Sequence, residues 1–305
     1  MTTATKNQQT NRQTSQQAKP VESKQQQSKK SNKKTSHSDL RLDDDNYYSK
    51  DTDWFWQSPT WFKKFLNCEA EALAELKGDY IPDFDQTALL AGNYLHSYFE
   101  SKEAHEEFLE NHPEILAKTG KNKGKLKSNY LIADKAIECL ETDPAFNELY
   151  QGDKEVIVTG ELFGVKWKGK IDCLNLERGY FIDLKTTAKL DKKYWNNKEH
   201  TWESFVAAYN YQLQMWVYQQ LIKQTFGVVC QPYIVAVSKE KVPDKAIVSI
   251  PDYRMEEAKR EIEMRQNHIE LVKTGQIRPN FCGKCDYCKE HKLLSSIIPM
   301  DQLII

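Results

Sequence analysis

The feature that most constrains this 305-residue chain is a stretch of strand-like alternation from Glu155 to Leu184, interrupted only by turn signals at Phe163-Gly164 and Glu177-Arg178-Gly179. Such a stretch predicts a three-stranded antiparallel meander whose register can be written down. With Glu177-Arg178 at the centre of the second turn, Asp172 falls opposite Asp183. With Phe163-Gly164 at the centre of the first, Glu155 falls opposite Asp172. Directly opposed side chains have Cβ atoms ~4.5–5.5 Å apart. Alternation puts Lys185 on the face of Asp183 and turns Ile182 and Leu184 to the other, into the core. Three acids and one ammonium are therefore expected on one patch. The expectation rests on register, because a slip of one residue moves a strand's side chains to the opposite face.

Opposed carboxylates repel and require a counter-charge. A divalent cation supplies it, and hard oxygen ligands suit Mg²⁺ or Mn²⁺. Such an ion polarises a phosphoryl oxygen and lowers the pKa of a bound water, while a neighbouring lysine stabilises the charge that develops on phosphorus oxygens. Asp172, ten residues, then Asp183-Leu-Lys185 thus fits metal-dependent phosphodiester hydrolysis. The tripeptide alone is common, and an exposed acidic hairpin neutralised by its lysine is the plain structural alternative. Strand context and opposed register favour the chemical reading.

The rest of the chain frames this meander. The 43 Lys+Arg nearly balance the 44 Asp+Glu, but residues 1–40 hold eight basic residues against Glu22 and Asp39. That segment is rich in Gln and poor in large apolar residues, so residues 1–45 read as a disordered basic arm, a solubilising tail with weak general attraction for nucleic acid. Residues 46–305 read as the folded domain. Ser58-Pro59 predicts a helix start, with the helix running through Trp61, Phe65, Cys68, Ala72 and Leu76 to Gly78. Further helices are expected over Thr87 to Glu100, Ala104 to Leu116 and Asn129 to Glu141. After the meander come a long helix from Glu203 to Phe226, strands from Val228 to Ser238 and Ala246 to Ile250, and a charged helix to about Lys273. Helices, a meander, then helix and strand predict a mixed α/β domain with a small central sheet. No apolar run reaches the ~18–20 residues of a membrane span, and the polar N-terminus is unlike a secretory signal. Seven cysteines in such a chain read as reduced thiols or metal ligands.

Three of those cysteines, Cys282, Cys285 and Cys288, stand at two-residue gaps, a density for which a soft metal is the natural reason. The fourth ligand is open between Cys68, far upstream, and His291, which continues the spacing. Cys139, Cys173 and Cys230 sit in periodic segments and read as core. For DNA contact, the Lys118 to Lys127 loop is the best basic patch, and a solvated loop is the alternative. The aromatic run Trp54-Phe55-Trp56 offers rings for stacking on bases, though packing of the first helix is the simpler reading. Nothing looks like a base-reading module, so sequence-independent action is expected.

At this point the sequence resembles the PD-(D/E)XK nuclease superfamily, and within it the RecE-type (exonuclease VIII-like) and RecB-type domains of phages and prophages. Gly169-Lys-Ile-Asp172 matches the family's Gly-x-x-Asp, and Asp183-Leu-Lys185-Thr-Thr187 its Asp-x-Lys core. Gly92-Asn-Tyr-Leu-His96 resembles the helix that brings a metal-binding histidine, with the small Gly92 letting another element approach. Tyr211-Gln-Leu-Gln214-Met-Trp-Val-Tyr218 resembles the Gln-x-x-x-Tyr helix. The resemblance spans about residues 47 to 290. It implies a restriction-endonuclease-like fold with a helical N-terminal part, a small mixed sheet flanked by helices, and a cysteine-bound C-terminal clip over residues 280–291. It also implies a Mg²⁺- or Mn²⁺-dependent dsDNA exonuclease of phage-type recombination, acting in the cytoplasm of a bacterial host, handing single strands to an annealing protein of the RecT type. Metal would be held by His96, Asp172 and Asp183, with Glu155 assisting. Lys185 would be catalytic, and Gln214 and Tyr218 would support the site or face DNA. Related nucleases bind a 4Fe–4S cluster with one early and three late cysteines, which favours Cys68, Cys282, Cys285 and Cys288 over a Zn²⁺ site that uses His291. A catalytically silent DNA-binding or scaffold protein on the same fold is the principal alternative, followed by a single-strand-specific or endonucleolytic member. Self-association is compatible with the sequence and is not specified by it.

Overall fold

The computed structural model describes residues 41–303 except Phe84, Asn129 and Lys198; residues 1–40 of the N-terminal arm lie outside the described residues, whereas residues 41–45, read from the sequence as part of that disordered arm, form a turn in which Asp43 and Asn46 exchange hydrogen bonds. Its centre is a five-stranded sheet in the order β1-β2-β3-β6-β7. β1 (Asp153–Leu162), β2 (Val165–Asn175) and β3 (Tyr180–Thr187) form the expected meander. Leu162 pairs with Val165 around the first turn and Asn175 with Tyr180 around the second, so both predicted registers hold. β6 (Gln231–Ser238) runs parallel to β3, and β7 (Lys245–Ser249) antiparallel to β6, which makes the sheet mixed.

Helices cover both faces, because the central strands are apolar on both sides. On one face, α9 (Tyr211–Phe226) and α10 (Asp252–Lys273) pack with α2 (Pro59–Asn67) and α3 (Glu69–Lys77) over Trp167, Ile171, Phe181 and Ile234. On the other, α4 (Thr87–Glu100), α6 (Leu131–Glu141) and α7 (Pro144–Leu149) bury Cys173, Ile182, Leu184 and Val235. Phe181 and Ile182, neighbours in one strand, thus serve opposite cores, as a period of two requires. α1 (Lys50–Phe55) packs beside α3 and is tied to β2 by Asp53, and α5 (Lys102–Asn111) follows α4.

Three sequence expectations are corrected. The helix expected from Ser58 to Gly78 is broken at Cys68, whose extended backbone (φ −158°) ends α2 and starts α3. The third helix stops at Asn111, where His112-Pro113 opens a short 3₁₀ turn. The long helix expected from Glu203 begins only at Tyr211. Before it lie a small hairpin of β4 (Tyr194–Asn196) and β5 (Thr201–Glu203) and the one-turn helix α8 (Phe205–Ala208). Asn210 separates α8 from α9 by adopting a left-handed conformation (φ 52°), which Asn tolerates better than most residues.

Candidate active site

The β2–β3 ladder ends at Cys173 and Ile182. The next pair would be Asp172 and Asp183, the opposed carboxylates of the sequence reading. There the strands part, and the Leu184 N–H donates to Asp172 Oδ2 at 2.6 Å instead of to a backbone carbonyl. Beyond this split, β2 takes a new neighbour: Gln57, between α1 and α2, exchanges backbone hydrogen bonds with Lys166 and Lys168. The gap is the floor of a cleft of about 1010 Å³ lined by His96, Glu155, Asp172, Asp183 and Lys185. α4 reaches it from one face of the sheet and α9 from the other.

β1 is distorted at the same level. Lys154 pairs with Cys173 and Val156 with Ile171, so Glu155 stands across from Asp172 as the register predicts. The ladder skips that pair, and Glu155 has a φ of 51°. Regular alternation would put Lys154 and Val156 on one face. Instead Lys154 meets Cys173 in the α4 core (Nζ to Sγ 3.2 Å), while Val156 and Ile171 join the α9 core. The β1–β2 ribbon therefore turns over at Glu155 and Asp172.

His96 Nδ1 lies 3.4 Å from Asp172 Oδ2. Ligand atoms of His96, Glu155 and Asp172 all lie within 4.8 Å of one another. Asp183, named with His96 and Asp172 as a metal ligand from the sequence, is outside this trio. Its Oδ1 accepts from Gln214 Nε2 at 2.7 Å, and its Oδ2 is 2.5 Å from Lys185 Nζ. Gln214 also donates to the Tyr218 hydroxyl at 3.2 Å. Gln214 and Tyr218 thus sit behind Asp183, and Tyr218 is buried. Gly169 accounts for that packing, since a Cβ there would lie 2.8 Å from the Tyr218 ring. Gly92 carries no such constraint, and a Cβ would meet only Thr186 Oγ1, at 3.7 Å. The close approach expected at Gly92 occurs at Gly169.

Electrostatics follow from crowding. Burial, then the Asp183 charge, lifts Asp172 to a pKa of about 7. Burial, then Asp172, lifts Glu155 to about 7. Burial and the Lys185 charge hold His96 at about 4, so its imidazole is neutral. Burial works against the Lys185 charge, but Asp183 and Asp172 outweigh it and raise its pKa. A neutral imidazole beside two carboxylates that resist ionisation is a donor set that a divalent cation completes, and its oxygen-rich chemistry fits Mg²⁺ or Mn²⁺.

Sequence reasoning missed several cations here. Lys170 Nζ lies 3.2 Å from Glu155 Oε2 and 3.1 Å from Asp44 Oδ1; its position two residues before Asp172 was the available signal. Lys63, on α2, lines the cleft with its pKa lowered to about 8 by burial and by Lys185. Only tertiary packing brings it there. Lys168 is fully buried, bound to Asp53 Oδ1 (2.8 Å), Thr52 Oγ1 (2.9 Å) and the Tyr47 carbonyl. It fastens α1 to β2.

Residues 58–291 match the family model described as "PDDEXK-like domain of unknown function (DUF3799)". The chain belongs to that family. A solved structure of a "Putative exonuclease" from Eubacterium rectale resembles this PD-(D/E)XK chain at 32% identity and a TM-score of 0.79, covering 87% of this chain and 99% of the other. The structure of SSO0001 aligns at a TM-score of 0.30 and 14% identity over 75% and 91%, too little to carry an argument. No curated protein matches. Family and fold together support a nuclease, which by its chemistry binds nucleic acid.

The PD-(D/E)XK chain has a second candidate metal centre. Cys68, Cys282, Cys285 and Cys288 bring their sulfurs within 4.8 Å of one another, with Cys68 and Cys288 at 3.5 Å and Cys282 and Cys288 at 3.7 Å. The break between α2 and α3 presents Cys68, and α11 (Asp286–Glu290) presents Cys288. Burial pushes the Cys282 thiol up, but the Cys285 and Lys284 amides outweigh it and leave it at about 6, so the thiolate predominates near neutrality. His291, the alternative fourth ligand, is outside the group: its Nδ1 lies 2.8 Å from the Tyr287 carbonyl and its ring rests on Tyr287. Of the remaining cysteines, Cys173 and Cys230 are core and Cys139 is partly exposed.

Of the regions read as DNA contacts, the Lys118 to Lys127 loop is pinned by backbone bonds between Ala117 and Lys125 and between Lys127 and Ile115. Its lysines are not among the residues lining the cleft. In the aromatic run, Lys166 covers Phe55 and Trp56. Among the described residues no helix is long and apolar enough to cross a membrane.

Proposed function

We propose that this chain is a divalent-metal-dependent deoxyribonuclease, acting on duplex DNA ends as a sequence-independent exonuclease. The observation that carries the proposal is the convergence of His96, Glu155 and Asp172 beside the Asp183–Lys185 pair at the split between β2 and β3. His96, Asp172 and Glu155 would hold the ion, with Asp183 as a further carboxylate beside them. When bound, Mg²⁺ or Mn²⁺ supplies Lewis-acid polarisation of a phosphoryl oxygen and a more acidic water. The chain's own groups do the rest. Lys185, kept charged by its aspartates, offers an ammonium to the phosphate as negative charge grows there. Gln214 fixes the orientation of Asp183, and the Leu184 amide fixes one oxygen of Asp172. The neighbour's description as an exonuclease and the resemblance to RecE-type domains support action at DNA ends. They also support a place in phage-type recombination beside an annealing partner of the RecT type. End-labelled linear duplex incubated with Mg²⁺ tests the reading: stepwise shortening is expected, with none from Asp183→Ala. Undiminished digestion by that variant would remove the proposed centre.

For the cysteine site, the resemblance favours a 4Fe–4S cluster, while the geometry favours a single ion. Sulfurs 3.5 and 3.7 Å apart suit a tetrahedron with metal–sulfur bonds of ~2.3 Å. A cubane spreads its thiolates over four separate irons and holds them farther apart. A Zn²⁺ held by Cys68, Cys282, Cys285 and Cys288 is therefore the second reading. Visible absorption of anaerobically purified protein separates the two, since only the cluster is coloured.

A further inference from the structure

The hairpin of β4 and β5 is unaccounted for by this chemistry. It projects two tryptophans into solvent, Trp195 (47% exposed) and Trp202 (61% exposed), as a cross-strand pair with ring centroids 5.2 Å apart. Cross-strand aromatic pairs stabilise a hairpin, which explains their adjacency but not their exposure. The hairpin's other face leads to the candidate active site. Tyr194 lies 5.5 Å from Tyr209, Tyr209 lies 5.9 Å from Tyr211, and Lys185 Nζ sits 5.1 Å from the Tyr211 ring. Tyr209 is half exposed. A row of rings thus runs from Lys185 to the hairpin face opposite the exposed pair.

Behind the hairpin is a separate cleft of about 320 Å³, within the ~300–1,000 Å³ range of small-molecule sites. Trp202, Tyr253, Arg254 and Gln212 line it. Arg254 lies over Tyr253, at 5.3 Å, and pairs with Glu257, at 2.9 Å. The exposed Lys192 and Lys193 flank the hairpin on one side. Of the local acids, Asp191 is near Lys189, at 3.8 Å, and Glu203 accepts from Asn196, at 2.7 Å.

We infer that this hairpin binds an unpaired strand of DNA, with Trp195 and Trp202 stacking on successive bases. Aromatic faces are read by every base and by no paired one, so single-stranded DNA is the occupant they fit. The cleft beyond Trp202 has room to seat one base beside Tyr253 and Arg254. The inference rests on the nuclease reading for its substrate and adds a second point of attachment, beyond the hydrolytic centre.

The test uses the full chain as purified, in buffer without added Mg²⁺ or Mn²⁺, where the cysteine site keeps its metal and binding proceeds without cleavage. Anisotropy of a fluorescein-labelled oligonucleotide compares the wild type, Trp195→Ala/Trp202→Ala and Trp195→Phe/Trp202→Phe. Loss of affinity of roughly 5–150-fold per ring removed is expected for alanine, and near-normal binding for phenylalanine. An alanine pair that binds like the wild type overturns the inference, as does an equal loss on blunt duplex. Should the alanine pair fail to fold, quenching of wild-type tryptophan fluorescence by the oligonucleotide decides, and its absence overturns the inference. Cleavage of duplex by the wild type with Mg²⁺ reports on the nuclease reading separately.

Discussion

Glu155 and Asp172 occupy one cross-strand position, and at that position the β1–β2 ribbon exchanges its faces. Below it, Lys154 and Cys173 meet one core; above it, Val156 and Ile171 meet the other. The turnover, with Glu155 at φ 51°, keeps two carboxylates beside His96 rather than losing them into either core. Glu155→Gln and Asp172→Asn should keep the fold and lose at least ~100-fold in Mg²⁺-dependent cleavage, comparable to other losses of charge stabilisation at a reacting centre. Rates within a few-fold of wild type would show that the trio is not the centre.

Metal binding should release protons. Asp172 and Glu155 sit at about 7 in the folded chain, against ~4 for carboxyls in the unfolded chain. The folded state therefore binds extra protons between those values, and the metal-free protein loses stability as pH rises from about 4 through 7. His96, held at about 4 against ~6.5 unfolded, acts in the opposite sense below pH ~6.5, but as one group against two. The rise in Tm on adding Mg²⁺ should accordingly be larger at about pH 8 than at about pH 6. Thermal melts with and without Mg²⁺ check this, and a shift independent of pH would contradict the assignment.

Gly169→Ala should destabilise the protein by roughly 1–3 kcal/mol, because its Cβ would lie 2.8 Å from the Tyr218 ring. Displacing Tyr218 also disturbs Gln214 and through it Asp183. Urea denaturation measures the stability loss, and cleavage should fall with it. Gly92→Ala is the contrasting variant and should change stability by less than ~1 kcal/mol, since its Cβ meets only an ordinary contact at 3.7 Å.

Cys288→Ser should abolish metal at the cysteine site and lower Tm, whereas His291→Ala should retain the metal. Cys288 is buried against Cys68, while His291 is turned to the Tyr287 carbonyl. Elemental analysis of the purified variants gives the answer, and loss of metal from His291→Ala would restore histidine as a ligand.

Much of the centre was legible in the sequence because strand periodicity and turn chemistry are local. The two turns fixed the pairing of Glu155, Asp172 and Asp183, and the meander formed in that register. Spacing along α9 placed Gln214 and Tyr218 on one face. The break at Cys68 and the hairpin before Asn210 were not legible, since apolar spacing continues across both. Nothing in the local sequence marks Lys63 or Lys168 for the places that packing gives them.

The order of the strands along the chain, their registers, and the supply of acids, lysine and thiols belong to the sequence itself, through hydrogen-bonding geometry between near neighbours. Tertiary structure decided what those groups do to one another. It parted β2 from β3 where the carboxylates would have collided, brought His96 from one helical layer and Gln214 from the other, and set Cys68 against Cys288, 220 positions further along the chain. These outcomes depend on long-range burial and on charges forced together out of water, and neither is encoded in the spacing of adjacent residues.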